Sequence, residues 1–135
     1  VLVGLAKELG LKVVPIPGPS ALTSALSVCG VPCGRFIFEG FLPAKRKAKM
    51  DVLATYEREK KAVVFYESPH RIGKTLEDLR REFGNRQAVI ARELTKLYEE
   101  VCRGSLDELI ESYQGRKWKG EVTLLVSGKS EVVGE

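Results

Sequence analysis

The sequence has one histidine, His70, and three cysteines, Cys29, Cys33 and Cys102. The Cys29–Cys33 spacing is not that of a zinc-binding pair, so no structural metal site is expected. An odd cysteine count without a secretory leader points to reduced thiols and a cytoplasmic location. No apolar run approaches the roughly 20 residues needed to cross a bilayer, and no signal-peptide pattern is present. There is no P-loop, no Gly-x-Gly-x-x-Gly segment and no convincing nucleophile–base pair. Neither sign of charge dominates: 22 basic residues face 18 acidic ones, a net charge of +4. That mild bias is compatible with RNA without requiring it.

What is present suits one domain with one core: 135 residues, 44% apolar and 30% charged. Val1 is not a methionine, and Val1 to Leu9 already has helical spacing. The chain is therefore expected to begin inside a longer protein or after processing. Gly10 fits the stop of that first helix. Leu11 to Ile16 reads as a short buried strand, broken by Pro17-Gly18-Pro19, after which Ser20 caps a helix running to about Cys29. Phe36 to Phe38 reads as a strand. A basic helix follows over about Lys45 to Glu59, with Ala48, Val52, Leu53 and Tyr56 on its buried face. Ala62 to Tyr66 reads as a central strand. Ser68 and Pro69 open the next helix as cap and first residue. Its buried stripe is Ile72, Leu76, Leu79 and Phe83, and Gly84 ends it. Ala88 to Ala91 and Tyr98 to Cys102 read as strands. Ser105 and Glu108 form a capping box for a helix to about Gln114, and Val122 to Ser127 is the last strand. Strands alternating with helices predict an α/β fold with a central sheet of about five strands and flanking helices. In such sheets ligands favour the crevice beyond the carboxyl ends of the strands.

Four segments at strand ends carry more polar chemistry than plain connectors. Pro17-Gly18-Pro19-Ser20-Ala21 offers close backbone approach and a hydroxyl at a helix N-terminus, or simply a rigid turn with a cap. Glu39-Gly40-Phe41-Leu42-Pro43 leads into Lys45, Arg46, Lys47 and Lys49, a run able to meet RNA phosphates or to form a solvated helix face. Phe41 can stack on a base or pack. Tyr66-Glu67-Ser68-Pro69-His70-Arg71 sets a carboxylate, a hydroxyl, an imidazole and a guanidinium after a buried strand. Ala91-Arg92-Glu93-Leu94-Thr95-Lys96 repeats that pattern, with Glu99 and Glu100 near enough in sequence to pair with Lys96.

Taken in order with Arg35-Phe36 and Lys119-Gly120-Glu121, these segments resemble the ribosomal RNA small-subunit methyltransferase I family, from about Leu11 to Gly128. Each motif alone is modest; five in order are specific. The resemblance implies the C-terminal domain of the tetrapyrrole methylase fold: residues 1–135 as one domain, with an N-terminal domain absent. It implies S-adenosylmethionine (SAM) bound between two halves, usually in a homodimer. It further implies methylation of a cytidine ribose 2′-oxygen in 16S rRNA of the small ribosomal subunit. By similarity, Ser20, Ala21, Tyr66, Ala91, Arg92, Val122 and Thr123 should line the cofactor. Lys45, Arg46, Lys47, Lys49, His70, Arg71 and Lys96 are the RNA-facing candidates. The expected reaction is an in-line displacement, in which the enzyme supplies proximity and alignment. A proton acceptor would help the ribose hydroxyl; Glu67 and Glu93 are the candidates, or else they orient the arginines.

Two other readings stand beside this one. A tetrapyrrole or diphthamide-precursor methyltransferase is disfavoured by the Lys45–Lys49 basic stretch and the Glu-Ser-Pro-His-Arg signature. A non-catalytic RNA-binding or dimerisation module fits a chain that lacks the segments gripping much of the cofactor. On that ground the 135 residues alone are expected to be inactive.

Overall fold

The computed structural model describes residues 1–130. In chain order the elements are α1 (Leu2–Glu8), α2 (Ala21–Val28), β1 (Phe36–Phe41), α3 (Arg46–Ala54), β2 (Ala62–Glu67), α4 (Ile72–Phe83), β3 (Gln87–Arg92), β4 (Glu100–Ser105), α5 (Leu106–Tyr113) and β5 (Val122–Val126). The strands form one five-stranded mixed sheet in the order β1-β2-β5-β3-β4. Strands β1 and β2 are parallel, and every other neighbouring pair is antiparallel. Consequently β1, β2 and β3 point the same way. Their carboxyl ends share one sheet edge with the amino ends of β4 and β5. The registers Phe41↔Tyr66, Glu67↔Val122 and Arg92↔Val122 fix that edge.

The sheet is buried on both faces because alternate side chains point to opposite sides. Val63, Phe65, Ile90, Leu124 and Val126 join the main core with Leu53 of α3, Ile72, Leu76, Leu79 and Phe83 of α4, and Leu106 and Leu109 of α5. Ala62, Val64, Val89 and Leu125 face the other way, against Leu22 and Leu26 of α2 and Cys29. The α4 stripe is the one its spacing predicts, and Gly84 caps that helix at φ 78°. The capping box at α5 also forms as predicted. The Ser105 hydroxyl accepts from the Glu108 N–H, and the Glu108 carboxylate accepts from the Ser105 N–H.

Several sequence expectations are corrected. Leu11 to Ile16 is not a strand. These residues are irregular, and Leu11, Val13, Val14 and Ile16 are exposed, so no sheet neighbour covers the apolar run. Ser20 occupies the N-cap position of α2 without a side-chain cap bond. Helix α4 begins at Ile72, with Arg71 at its cap, so Ser68 and Pro69 lie in a preceding turn where the His70 N–H donates to the Ser68 hydroxyl. Strand β1 continues to Phe41, through a register shift between Phe38 and Gly40. Strand β4 runs later than expected, and its Val101 and Cys102 pair with Ala91 and Ile90 of β3.

The basic helix is shorter than its periodicity suggested; Leu53 is buried and Val52 and Tyr56 pack against the core as expected, but Ala48 is exposed and Lys49 is buried. Only 7% of Lys49 is exposed. Its ammonium donates to Thr75 Oγ1 at 2.8 Å and lies 3.0 Å from Asp78 Oδ2. Lys49 is thus drawn inward by an acidic residue of α4 that is itself fully buried. Neither a solvated face nor an RNA phosphate is available to it, and it leaves the RNA-facing set.

Candidate functional site

The common sheet edge holds two adjoining cavities. The larger, of about 570 Å³, is lined by Ala21, Phe41, Tyr66, Glu67, Ser68, Pro69, Glu93, Lys96, Gly120, Glu121, Val122 and Thr123. The smaller, of about 190 Å³, adds Pro19, Ser20, Ser24, Ala91, Leu94 and Thr95, and shares Ala21, Lys96, Glu121 and Thr123. Ser20, Ala21, Tyr66, Ala91, Val122 and Thr123 therefore meet in one cleft, although they are spread over about a hundred residues of sequence. The seventh cofactor candidate, Arg92, lies in a neighbouring groove instead. The larger cavity falls in the size range of small-molecule sites, which place a few polar groups in an apolar wall.

Tyr66 stands between two phenylalanines of β1, edge-on to Phe38 at 5.0 Å and to Phe41 at 5.6 Å between ring centres. Strand β2 delivers Glu67 next, and that carboxylate is buried. Its Oε1 accepts from the Ser68 N–H at 2.7 Å and from Arg71 Nε at 3.0 Å. Its Oε2 accepts from Thr75 Oγ1 at 2.7 Å. Arg71 also donates to the Leu42 carbonyl. Glu67 thus fixes the turn after β2 and orients Arg71, with each oxygen already engaged. His70 is exposed and lines a separate hollow with Trp118 and Arg116.

The turn after β3 is held by a reciprocal clasp. The Glu93 N–H donates to the Glu121 carbonyl, and the Glu121 N–H donates to Glu93 Oε1 at 2.9 Å. Lys96 reaches the same oxygen at 3.4 Å and Glu121 Oε2 at 3.7 Å, rather than Glu99 or Glu100. Glu93 and Thr95 adopt positive φ, 50° and 67°, a conformation uncommon for residues with a side chain. The Glu121 N–H, assisted by Lys96 and Arg92, holds the Glu93 carboxyl below the usual carboxylate range. Such a carboxylate is a weak base, better suited to positioning the turn than to accepting a proton.

Gly120 completes the clasp. Its φ is 81°, and a β-carbon there would overlap the Glu93 carboxylate. The Lys119-Gly120-Glu121 motif is legible in sequence, but its link to Glu93 across 27 residues is not. Phe41, Ser68, Pro69, Leu94, Thr95, Gly120 and Glu121 line the cleft without having been assigned a cofactor role. Their signal was membership of the strand-end segments. Among the basic candidates, Lys45 and Lys47 are exposed. Arg46 is half-exposed while pairing with Asp78 at 3.3 Å.

Glu93, Glu121 and Lys96 thus set a cluster of paired charges in the otherwise largely apolar lining of the larger cavity, and the absence of a β-carbon at Gly120 leaves room for the Glu93 carboxylate there.

A family model described as Tetrapyrrole (Corrin/Porphyrin) Methylases matches residues 2–110. The chain is 46% identical over 120 residues to ribosomal RNA small subunit methyltransferase I of Thermotoga maritima, covering 89% of this chain and 54% of that protein. It is 47% identical over 133 residues to the protein of that name in Xylella fastidiosa, covering 96% and 49%. The chain therefore spans about half the length of the curated relatives it matches. Its fold superposes on the crystal structure of the methyltransferase CobJ with a TM-score of 0.67 at 21% identity, over 94% of this chain and 55% of that one. The order of motifs, the sheet and the family match lead to one assignment: the chain belongs to the tetrapyrrole methylase family, and along its length it is similar to ribosomal RNA small subunit methyltransferase I proteins.

Proposed function

We propose that this chain is the C-terminal half of a two-domain, SAM-dependent methyltransferase acting on 16S rRNA at a cytidine ribose 2′-oxygen. Its part is to supply one wall of the cleft. The observation that carries this reading is the meeting of Ser20, Ala21, Tyr66, Ala91, Val122 and Thr123 at the carboxyl-end edge of the sheet. The identity to relatives named for rRNA methylation supports the substrate. The exposed Lys45 and Lys47, with Arg46, supply cations for RNA phosphates. A homodimer and a cytoplasmic location belong to the same reading. Among the described residues no helix is long and apolar enough to cross a membrane.

Bound SAM supplies an activated methyl group, and the residues of this chain would hold and align it. Ala21, Val122 and Thr123 form the wall, Tyr66 gives an aromatic face, and Lys96 with Glu93 and Glu121 gives charge at the rim. Glu67 and Glu93 act as positioning groups, since both carboxylates already fix their own turns. Alignment of two bound reactants is the main catalytic resource in such a site.

The test uses the full-length protein with labelled SAM and small ribosomal subunits lacking the modification. Ala21→Leu should weaken SAM binding far more than RNA binding. Methyl transfer to the ribose should fall with it. A folded Ala21→Leu protein with wild-type SAM affinity would remove this wall from the site. Wild-type protein that transfers no methyl group to the subunit would overturn the substrate.

A further inference from the structure

A second groove, of about 400 Å³, adjoins the cleft. Arg92, Glu93, Tyr98, Arg116, Lys117, Lys119 and Gly120 line it, so it shares Glu93 and Gly120 with the larger cavity. We propose that this groove binds single-stranded RNA, with phosphates on Lys117 and Lys119 and a base on Tyr98. The inference rests on the reading of the protein as an RNA methyltransferase and extends its RNA contacts to a face that neither the Lys45–Lys47 run nor the cofactor wall occupies.

The geometry is built rather than incidental. Only 13% of the Arg92 side chain is exposed, and it lies between two loops. Its NH1 donates to the Lys119 carbonyl at 2.9 Å, and its NH2 to the Tyr98 carbonyl at 3.3 Å. Its Nε lies 3.5 Å from Glu100 Oε1. Arg92 thus fastens the loop after β3 to the loop before β5, which brings Tyr98 and Lys119 to the same groove. Arg116 is fixed in turn by Glu100 at 2.7 Å, and its guanidinium covers the rings of Tyr113 and Trp118.

These two arginines spend their charge on Glu100 and on carbonyls. Lys117 and Lys119 do not: both are exposed, and among the described residues neither ammonium has a carboxylate partner. Tyr98 is 72% exposed although its backbone is tied down by Arg92. Among the described residues no other ring stacks on it. Unpaired cations beside an exposed, anchored aromatic ring are the two elements of single-strand recognition, in which phosphates give affinity and any base gives a face to stack. Continuity with the cleft would bring a strand held here past Glu93 and Gly120 toward the cofactor wall.

The experiment measures binding of a short, cytidine-containing single-stranded RNA, and of a duplex of equal length, to the full-length protein across a salt series. The double variant Lys117→Gln with Lys119→Gln should bind the single strand more weakly. Its slope of log affinity against log salt should be shallower by about 1.4, from roughly 0.7 per lost phosphate contact. Tyr98→Ala should lower single-strand affinity about tenfold with little change in slope, leave duplex binding nearly unaltered, and be rescued by Tyr98→Phe. Thermal unfolding establishes that each variant is folded. A wild-type salt slope in the folded double variant, or wild-type affinity in folded Tyr98→Ala, overturns the groove. Weakened binding of inorganic phosphate without weakened RNA binding also overturns it. If wild-type protein methylates ribosomal RNA while the variants bind like wild type, the groove alone fails. If wild-type protein binds SAM but no RNA, the underlying reading fails and takes the groove with it.

Discussion

Gly120 shows how much one missing methyl group can decide. Its positive φ already penalises a side chain, and a β-carbon would overlap the Glu93 carboxylate that accepts from the Glu121 N–H. Gly120→Ala should therefore cost about 1–3 kcal/mol by strain and overpacking, read by thermal unfolding, and should weaken SAM binding in the full-length protein. Adding Glu93→Ala removes the overlapping group. The double variant should then be more stable than the sum of the two single changes predicts, the signature of a shared contact. Additive effects would detach Gly120 from the clasp. Glu93 also makes a pH prediction. Its carboxyl is held low, chiefly by the Glu121 N–H, so the folded state binds this proton less readily than the unfolded chain. Its contribution to stability is complete above the ordinary carboxylate value of about 4.3. It is lost as pH falls through the lowered folded value. A series of thermal midpoints should show Glu93→Gln with a flatter acid limb in that window, and an unchanged limb would refute the clasp's electrostatic part.

Helices α3 and α4 are joined by a buried polar relay as well as by apolar contact. Glu67 accepts from Thr75, Thr75 accepts from Lys49, and Lys49 pairs with Asp78. Arg46, Lys74 and Arg81 add longer contacts to Asp78 from the surface, at 3.3 to 3.8 Å. Removing one member of a buried pair strands the other, at a cost of about 3–5 kcal/mol. Asp78→Asn should approach that range in urea unfolding. Lys74→Ala, at an exposed partner, should change stability by no more than about 1 kcal/mol. Equal effects would mean that Lys49 finds solvent when Asp78 is lost. The relay ends on Glu67 at the cleft, so Asp78→Asn should also loosen the turn that carries Ser68 and Arg71. The cap of α5 offers a simpler check: Ser105→Ala should cost about 0.5–2 kcal/mol.

For the molecule as a whole, the chain spans about half the length of the curated relatives it matches, and the reading proposed above gives the rest of the full-length protein the second wall of the cleft. The 135 residues by themselves should bind SAM weakly and transfer no methyl group to the subunit. The full-length protein should do both, since alignment of the reactants needs two walls. Transfer by the 135-residue chain at a full-length rate would contradict the division of labour proposed above. The N-terminal stretch behaves differently from the rest. No residue of α1 is buried, and Leu2, Leu5, Leu9, Leu11 and Ile16 are all exposed. Deleting residues 1–14 should therefore change the stability of the remaining chain by no more than about 0.5 kcal/mol. Urea unfolding of the truncated chain measures this directly, and a larger loss would show that the segment contributes to the core.

The sequence by itself determined the elements whose signals are local or whose burial is two-sided. The continuous run Ala62–Tyr66 reads as a strand because both faces of the sheet are covered. The α4 stripe and the Ser105–Glu108 box follow from helical spacing and backbone hydrogen bonding within a few residues. The strand-end segments were visible too, since charged clusters after buried strands exceed what a turn requires. Tertiary structure decided the rest. Leu11–Ile16 has a strand's composition but gains no strand partner, and apolar content alone cannot supply one. Lys49 looks like part of a basic surface until Asp78, 29 residues away, draws it inside; a buried charge depends on its partner, not on its neighbours in sequence. Arg92 sits in a cofactor-like motif, yet carbonyls of Tyr98 and Lys119 turn it toward the adjoining groove. Hydrogen bonds and ion pairs are short-ranged, so the groups that complete them are chosen by the packing of the sheet, and only the folded chain reveals which they are.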